Sequence, residues 1–311
     1  MTEPGRLRLG TRTSRLATWQ AEHVAAALRA AWPGLDVALV PFVTEGDRTL
    51  DRPLPEIGGK GLFTAELEGA LRDGRLDLAV HSLKDLPTDD PEGLTVGATT
   101  VREDPRDAWI CPAGHDLAGI SAGAVVGTSS LRRGAQLLRC RPDLVIRSIR
   151  GNVETRIRKI EEGAYDAGVL ALAGLRRLGI EDRAAGVLPL DAMLPAPGQA
   201  ALGVQVRADD AGVRRLVGAL DHSPTRASVT AERAFLAGLG GGCSAPVAAH
   251  AEVAGERVRF RGRVVSTDGR RTVEVETDGP FDAAAAGASG EAVGLAAARL
   301  ALADGAQALL P

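Results

Sequence analysis

Aromatic residues make up only 3% of this 311-residue chain, too few for the stacked platforms on which a general single-strand nucleic-acid binder lays its bases. Nucleic acid is therefore not an expected partner. Cysteine is as sparse: Cys111, Cys140 and Cys243 are scattered and odd in number, which suits neither a disulfide framework nor a closely spaced metal cluster. No metal is expected. Long uncharged apolar runs are missing, and the segment from Met1 to Gly10 has no signal-peptide core. The expected location is the cytoplasm, with no membrane partner. Lysine is scarce in another sense: of 37 basic residues only Lys60, Lys84 and Lys159 are lysines, so any lysine in a motif stands out.

What is present is a local excess of positive charge. Arg132, Arg133, Arg139, Arg141, Arg147, Arg150, Arg156, Arg158 and Lys159 face only Asp143 and Glu154, a net +7 within a chain of net charge −3. Such an excess implies a local anion. Gly127-Thr128-Ser129-Ser130 and Gly151-Asn152 each follow an apolar strand-like run and open a helix-like one, and helix N-termini expose unpaired N–H groups that attract carboxylate or phosphate. Two consecutive arginines, Arg132 and Arg133, at such an end oppose the helix dipole, which a bound anion would relieve. Arg147 and Arg150 are expected to share a strand face. Solvated surface is the competing reading of all these charges.

The periodicity predicts an α/β chain: two similar doubly wound α/β domains plus a smaller α+β C-terminal domain. The expected limits are 1–101 with 199–219 for the first, 105–195 for the second and 222–311 for the third. Strands are expected at Leu7–Gly10, Val37–Val43 and Leu76–Val80, with helices over Ser14–Ala31 and Leu62–Leu71, all with parallel pairing. The alternation restarts with strands at Ala124–Val126, Leu144–Ile149 and Ala167–Leu172. The strand-like Ala201–Val206 follows the proline-rich Leu194–Gly198 and is expected to return to the first domain. A helix over Thr225–Leu239, two alternating strands joined by an Asp268-Gly269 turn and an alanine-rich helix ending near Gly305 make up the third.

Several short segments carry chemistry. Gly58-Gly59-Lys60-Gly61 is not a phosphate-binding P-loop, because no glycine opens the run upstream, where Leu54 and Pro55 stand, and Gly61 replaces the metal-binding hydroxyl. His81-Ser82-Leu83-Lys84-Asp85-Leu86-Pro87 lies at the C-terminal end of an apolar strand, where α/β folds place ligand groups. There Lys84 suits an anion and Asp85 a developing cation, while a turn former before Pro87 is the competing reading of Asp85. His81 reads as a packed residue. Gly240-Gly241-Gly242-Cys243 admits close approach to a sulfur, either as an attachment point or as a small buried hydrophobe.

Taken together, Gly10-Thr11-Arg12-Thr13-Ser14, Thr44-Glu45-Gly46-Asp47, Gly58 to Phe63, His81 to Pro87, Arg102 to Ala108, Gly127 to Arg133, Arg147 to Val153, Leu172 to Leu178 and Gly241-Gly242-Cys243 resemble the porphobilinogen deaminase family. The resemblance runs in order through all three expected domains. It implies a transferase that joins four porphobilinogen molecules head to tail with loss of ammonia and releases hydroxymethylbilane. It also implies periplasmic-binding-protein-like lobes and a dipyrromethane cofactor attached through Cys243; nothing in the sequence demands more than a monomer, which is the expected state. By motif match, Lys84, Ser82, Thr128, Ser129, Arg132, Arg133 and Phe63 hold that cofactor. Arg12, Ser14, Arg150, Arg156, Arg177 and Lys60 meet substrate carboxylates, and Asp85 is catalytic, beside the pyrrole nitrogens. Two positions depart from the family's pattern: Glu56, where another lysine is common, and Ala200, where a glycine is frequent. A noncatalytic two-lobed anion-binding protein is the alternative, but it leaves Gly-Gly-Cys243 without a purpose.

Overall fold

Leu7 and Leu9 alternate with Arg6 and Arg8, so that one face of β1 (Arg6–Arg12) is buried and the other meets solvent. The computed structural model describes residues 5–44, 64–241 and 245–310. After β1, Ser14 caps α1 (Arg15–Ala31), whose Ala21, Val24, Ala25 and Leu28 fall at helical spacing and are buried. β2 (Asp36–Phe42) follows, then α2 (Ala65–Arg72), β3 (Leu78–Ser82), a 3₁₀ turn at Leu83–Asp85 and β4 (Leu94–Thr99). β1 pairs in parallel with both β2 and β3, and the continuous burial of Leu78 to His81 is that of a strand covered on both faces.

The second sheet contains β5 (Asp107–Ile110), β6 (Val125–Gly127), β7 (Val145–Arg147), β8 (Ala167–Ala171) and β9 (Gly186–Val187), with α3 (Leu131–Cys140), α4 (Val153–Glu161) and α5 (Leu172–Leu178) between them. β10 (Leu202–Arg207) then returns to the first sheet. The orders are β2-β1-β3-β10-β4 and β7-β6-β8-β5-β9. They are the same order, with one exchanged strand each. β10 and β5 run antiparallel to their neighbours, so all-parallel pairing is corrected. Each of these strands arrives directly from the other lobe, whereas parallel neighbours need a crossover connection. Two connections therefore join the lobes, β4 to β5 and β9 to β10. A second correction concerns Arg147 and Arg150: β7 ends at Arg147, and residues three apart fall on opposite strand faces in any case.

α6 (Ala211–Gly218) covers the first sheet, and α7 (Ser223–Gly238) begins the third unit. There β11 (Val247–Ala254), β12 (Arg257–Val265) and β13 (Thr272–Pro280) form an antiparallel meander. α7 and α8 (Ala286–Ala303) pack on it around Phe235 and Phe260, whose rings lie 5.1 Å apart. α8 lies directly on the α7 backbone because Gly290 and Gly294 lack side chains: a Cβ at either would sit 2.1 Å from the Ala227 or Ala231 carbonyl oxygen. The meander also reaches the second lobe, where buried Arg263 donates to Gln136 Oε1 of α3 at 2.8 Å and to the Asp191 carbonyl at 3.0 Å.

Candidate active site

The C-terminal end of β3 faces the N-terminal ends of α3 and α4 across the two lobes, and the titratable groups concentrate there. Lys84 and Asp85 ride on the 3₁₀ turn that leaves β3. Its first residue, Leu83, donates its backbone N–H to Ala201 O at 3.0 Å, and Leu86 N closes the turn on Leu83 O at 3.1 Å. Leu83 and Leu86 are buried with Ala201 and Val229, which turns the two polar residues outward. Asp85 is exposed. Its negative charge acts on Lys84 and, from the other lobe, on Arg156.

Beneath them lies a carboxylate that sequence reading gave no role. Asp107, fully buried at the start of β5, accepts from Arg132 Nη2 at 2.9 Å, Arg133 Nη2 at 2.7 Å and Gln199 Nε2 at 2.8 Å. Burial by itself would raise its pKa, but the two guanidiniums hold it far below the usual carboxylate range. Asp107 thus supplies one negative charge to the two paired arginines at the start of α3, a partner within the chain that the sequence reading did not foresee. Arg132 and Arg133 also donate to the Leu194 and Val169 carbonyls; Arg133 Nε is buried without a partner among the described residues. Farther along the basic segment, Arg141 is matched by Asp143 at 2.7 Å and Arg158 by Glu162 at 3.8 Å.

Gln199 connects the two lobes. Its Nε2 donates to Asp107 and to Pro105 O at 2.7 Å, which leaves Oε1 to accept from Lys84 Nζ at 3.2 Å. Burial, then the charge of Arg133, pushes the Lys84 amine down to about 8. Arg156, whose Nε donates to Gly151 O at 2.7 Å, is lowered to about 10 by burial and by its neighbours Arg133 and Arg150. Cations crowd here at a cost in self-repulsion, which an arriving carboxylate would relieve.

The hydroxyls act as braces. Ser129 Oγ lies 2.8 Å from Ser148 Oγ and donates to Ile149 O at 2.8 Å, tying the start of α3 to the loop before α4. Thr128 Oγ1 accepts from Ser130 N, Ser82 Oγ from Gln20 Nε2, and Ser14 Oγ from Ala17 N. Arg12 is half-buried at the end of β1, where its charge reaches His81. His81 is packed as expected: burial lowers its pKa to about 4, leaving it neutral, with Nε2 3.2 Å from Gln205 Oε1. Arg177 donates to Ala200 O, next to the Gln199 that meets Lys84, at 2.5 Å, with its guanidinium 5.8 Å from the Trp19 ring centroid. Lys60, Phe63 and Cys243, with Glu56, lie outside the described residues.

The third unit holds both interlobe connections. Glu232, buried on α7, receives a two-pronged ion pair from Arg102 at 2.7 and 2.9 Å and accepts from Gly198 N at 2.7 Å. Arg102 belongs to the first connection and Gly198 to the second. Among the described residues, Ala200 is the one non-glycine at positive φ, +73°. This strained position is the one at which the resemblance led us to expect glycine.

Residues 7–215 match the family model described as porphobilinogen deaminase, dipyromethane cofactor binding domain, and residues 227–299 match its C-terminal domain. A porphobilinogen deaminase of Geobacter sulfurreducens is 49% identical over 305 residues, covering 98% of this chain and 94% of that relative. The chain belongs to the porphobilinogen deaminase family. Two solved structures are more distant. The VFT2 domain of Bordetella pertussis BvgS has a TM-score of 0.41 at 16% identity, covering 69% of this chain and 86% of that one. A YaeC-family lipoprotein of Enterococcus faecalis has 0.42 at 12%, covering 70% and 91%. Neither enters the functional argument. Porphobilinogen deaminases are transferases of tetrapyrrole biosynthesis, and the matched model names the cofactor-binding unit. The donor set fits such a group: Lys84, Arg132, Arg133, Arg150 and Arg156 offer several cations to a ligand that carries several carboxylates, and the orphaned Arg133 Nε is a donor awaiting an acceptor.

Proposed function

We propose that this chain joins porphobilinogen units head to tail, with loss of one ammonia per unit, and releases hydroxymethylbilane, with Asp85 as the catalytic group. One observation carries the assignment: an exposed carboxylate stands at a strand end, flanked by Lys84 and facing Arg156 of the opposite lobe. A dipyrromethane joined through Cys243 would supply the nucleophilic pyrrole carbon. Lys84, Arg132, Arg133 and the braced hydroxyls of Thr128, Ser129 and Ser82 would hold it, with Phe63 against a ring. Arg12, Ser14, Arg150, Arg156, Arg177 and Lys60 would meet the acetate and propionate arms of incoming units.

The chemistry asked of Asp85 is electrostatic. As ammonia leaves, positive charge develops on the incoming pyrrole, and a carboxylate fixed beside its N–H stabilises that charge and can take up the proton released when the rings join. The arginines contribute by position: pinned carboxylate arms place the reacting carbons within bonding reach, which converts an encounter of two molecules into an intramolecular step. Asp107 and Gln199 keep Arg132, Arg133 and Lys84 in place before any ligand arrives, so little reorganisation accompanies binding. The noncatalytic anion-binding alternative is not favoured, since the family match extends through the third unit. We further place the chain in the cytoplasm as a monomer, with no nucleic-acid or membrane partner. Among the described residues no helix is long and apolar enough to cross a membrane.

Intact-mass measurement tests the attachment. The purified chain should be heavier than its sequence by one dipyrromethane, and Cys243→Ser should remove the increment. An unmodified chain that still makes hydroxymethylbilane would overturn it.

A further inference from the structure

We infer that Arg233, on the third unit's α7, is a positioning residue for Asp85. Its guanidinium reaches over the segment that carries Lys84 and Asp85 and donates to four carbonyls on either side of them. Nη1 meets Leu83 O at 3.3 Å and Leu86 O at 3.1 Å, and Nη2 meets Pro87 O and Thr88 O, the latter at 3.3 Å. These partners lie about 150 residues away in sequence. A short turn leaving a strand has carbonyls that no helix continues to satisfy, and a cation at that end answers both the missing donors and the local dipole. The planar fork of arginine spans several acceptors at fixed angles; the point charge of lysine does not.

The clamp has two parts. Leu83 and Leu86 are buried against Ala201 and the α7 residue Val229, and Leu83 N is tied to Ala201 O. Arg233, four residues on from Val229 and so on the same face of α7, holds the carbonyls. Asp85 lies between the two fixed points and projects toward the opposite lobe, where its charge acts on Arg156. The neighbouring Glu232 holds Arg102 and Gly198, one from each interlobe connection. Two consecutive residues of α7 thus fix the connections and the turn that bears the carboxylate. The third unit, beyond supplying Cys243, sets where Asp85 stands.

The inference rests on the assignment of Asp85 as the catalytic group, and the test separates the two. Arg233→Met keeps the apolar stem and removes the donors, Arg233→Lys keeps the charge, and both are compared with Asp85→Asn and with Asp85→Asn/Arg233→Met. Arg233→Met should melt near the parent and carry the same mass increment, yet its Leu86 and Thr88 amides should exchange with deuterium faster. Its kcat should fall about 10- to 100-fold with KM changed less than about threefold, as expected when a reacting group is displaced by about an ångström. Arg233→Lys should recover only part of kcat, and the double variant should be no worse than Asp85→Asn alone, because both changes act through one carboxylate. An Arg233→Met enzyme within twofold of parental kcat while Asp85→Asn is impaired would overturn the inference. So would independent, multiplying losses in the double variant. If Arg233→Met does not fold, parental kcat in Arg233→Lys overturns the inference and a loss at unchanged mass increment supports it. If Asp85→Asn turns over normally, the assignment of Asp85 has failed, and deuterium exchange alone then decides whether Arg233 holds the turn.

Discussion

Asp107→Asn removes the one negative charge shared by Arg132 and Arg133 while nearly preserving shape. In the parent its two oxygens accept three hydrogen bonds, two from guanidiniums and one from Gln199, at 2.7–2.9 Å and no solvent exposure. Breaking a buried charge cluster on one side leaves uncompensated charge and costs about 3–5 kcal/mol. Arg132 and Arg133 keep their Leu194 and Val169 carbonyls, which places the expected loss near the lower end, about 3 kcal/mol. For the two lobes melting together, on the order of 200 residues, that lowers Tm by roughly 6–12 °C. Asp143→Asn, which breaks a solvent-facing pair with Arg141, is the control and should leave the melting curve unchanged. The pH dependence has a definite sign. The folded pKa of Asp107 lies below its ordinary value of 3.8, so its contribution is fully present above about pH 4 and is lost as pH falls toward the folded value. The gap in Tm between parent and variant should be constant from neutral pH down to about 4 and narrow only in stronger acid. An Asp107→Asn protein melting within about 2 °C of the parent at neutral pH would refute the buried-hub argument.

The Lys84 amine, lowered to about 8, is charged below that pH and loses its charge above it; carboxylate binding should therefore weaken on the alkaline side. A kcat/KM profile should show a descending limb near pH 8 that Lys84→Met abolishes, while an unchanged limb in that variant would assign it elsewhere. Ala200 sits at φ +73°, a conformation costing an L-residue about 1–2 kcal/mol. Ala200→Gly relieves that strain but adds unfolded-state entropy worth about 0.4–1 kcal/mol, so chemical denaturation should show a net gain between about 0 and 1.6 kcal/mol. Ala200→Val, β-branched at positive φ, should be clearly destabilised; equal stability of Gly and Val variants would contradict the strain assignment. Arg102→Met leaves Glu232 buried and unpaired, and should lower Tm by a margin comparable with Asp107→Asn, whereas a parental Tm would show that the two connections are held by other contacts.

Local pattern reveals what local forces decide. The spacing of Ala21, Val24, Ala25 and Leu28 announces α1, and Asp268-Gly269 announces the β12–β13 turn, because both depend on residues a few positions apart. The position of Lys84-Asp85 after β3 was legible for the same reason. Asp107 was not: in Arg102-Glu103-Asp104-Pro105-Arg106-Asp107 it resembles a solvated connector, and its burial follows from arginines 25 and 26 residues later. β5 and β9, four and two residues long, are too short to show a period, and their strand character comes from neighbours supplied by the fold. Gln199 and Arg233 acquire roles through partners more than 90 residues away, a range at which periodicity carries no information. A polar residue just after the proline-rich connector was the available signal for Gln199; for Arg233 there was none.

In the proposed function Asp85 performs the chemistry, while the arginines and Cys243 only hold. Mixing porphobilinogen with excess parent or Asp85→Asn protein and weighing the intact chains separates these roles in one experiment. The parent should show a primer increment and then a ladder of added pyrrole units. Asp85→Asn should show the primer increment alone, with the ladder absent or slowed by orders of magnitude. A ladder growing at the parental rate on the Asp85→Asn chain would contradict the account.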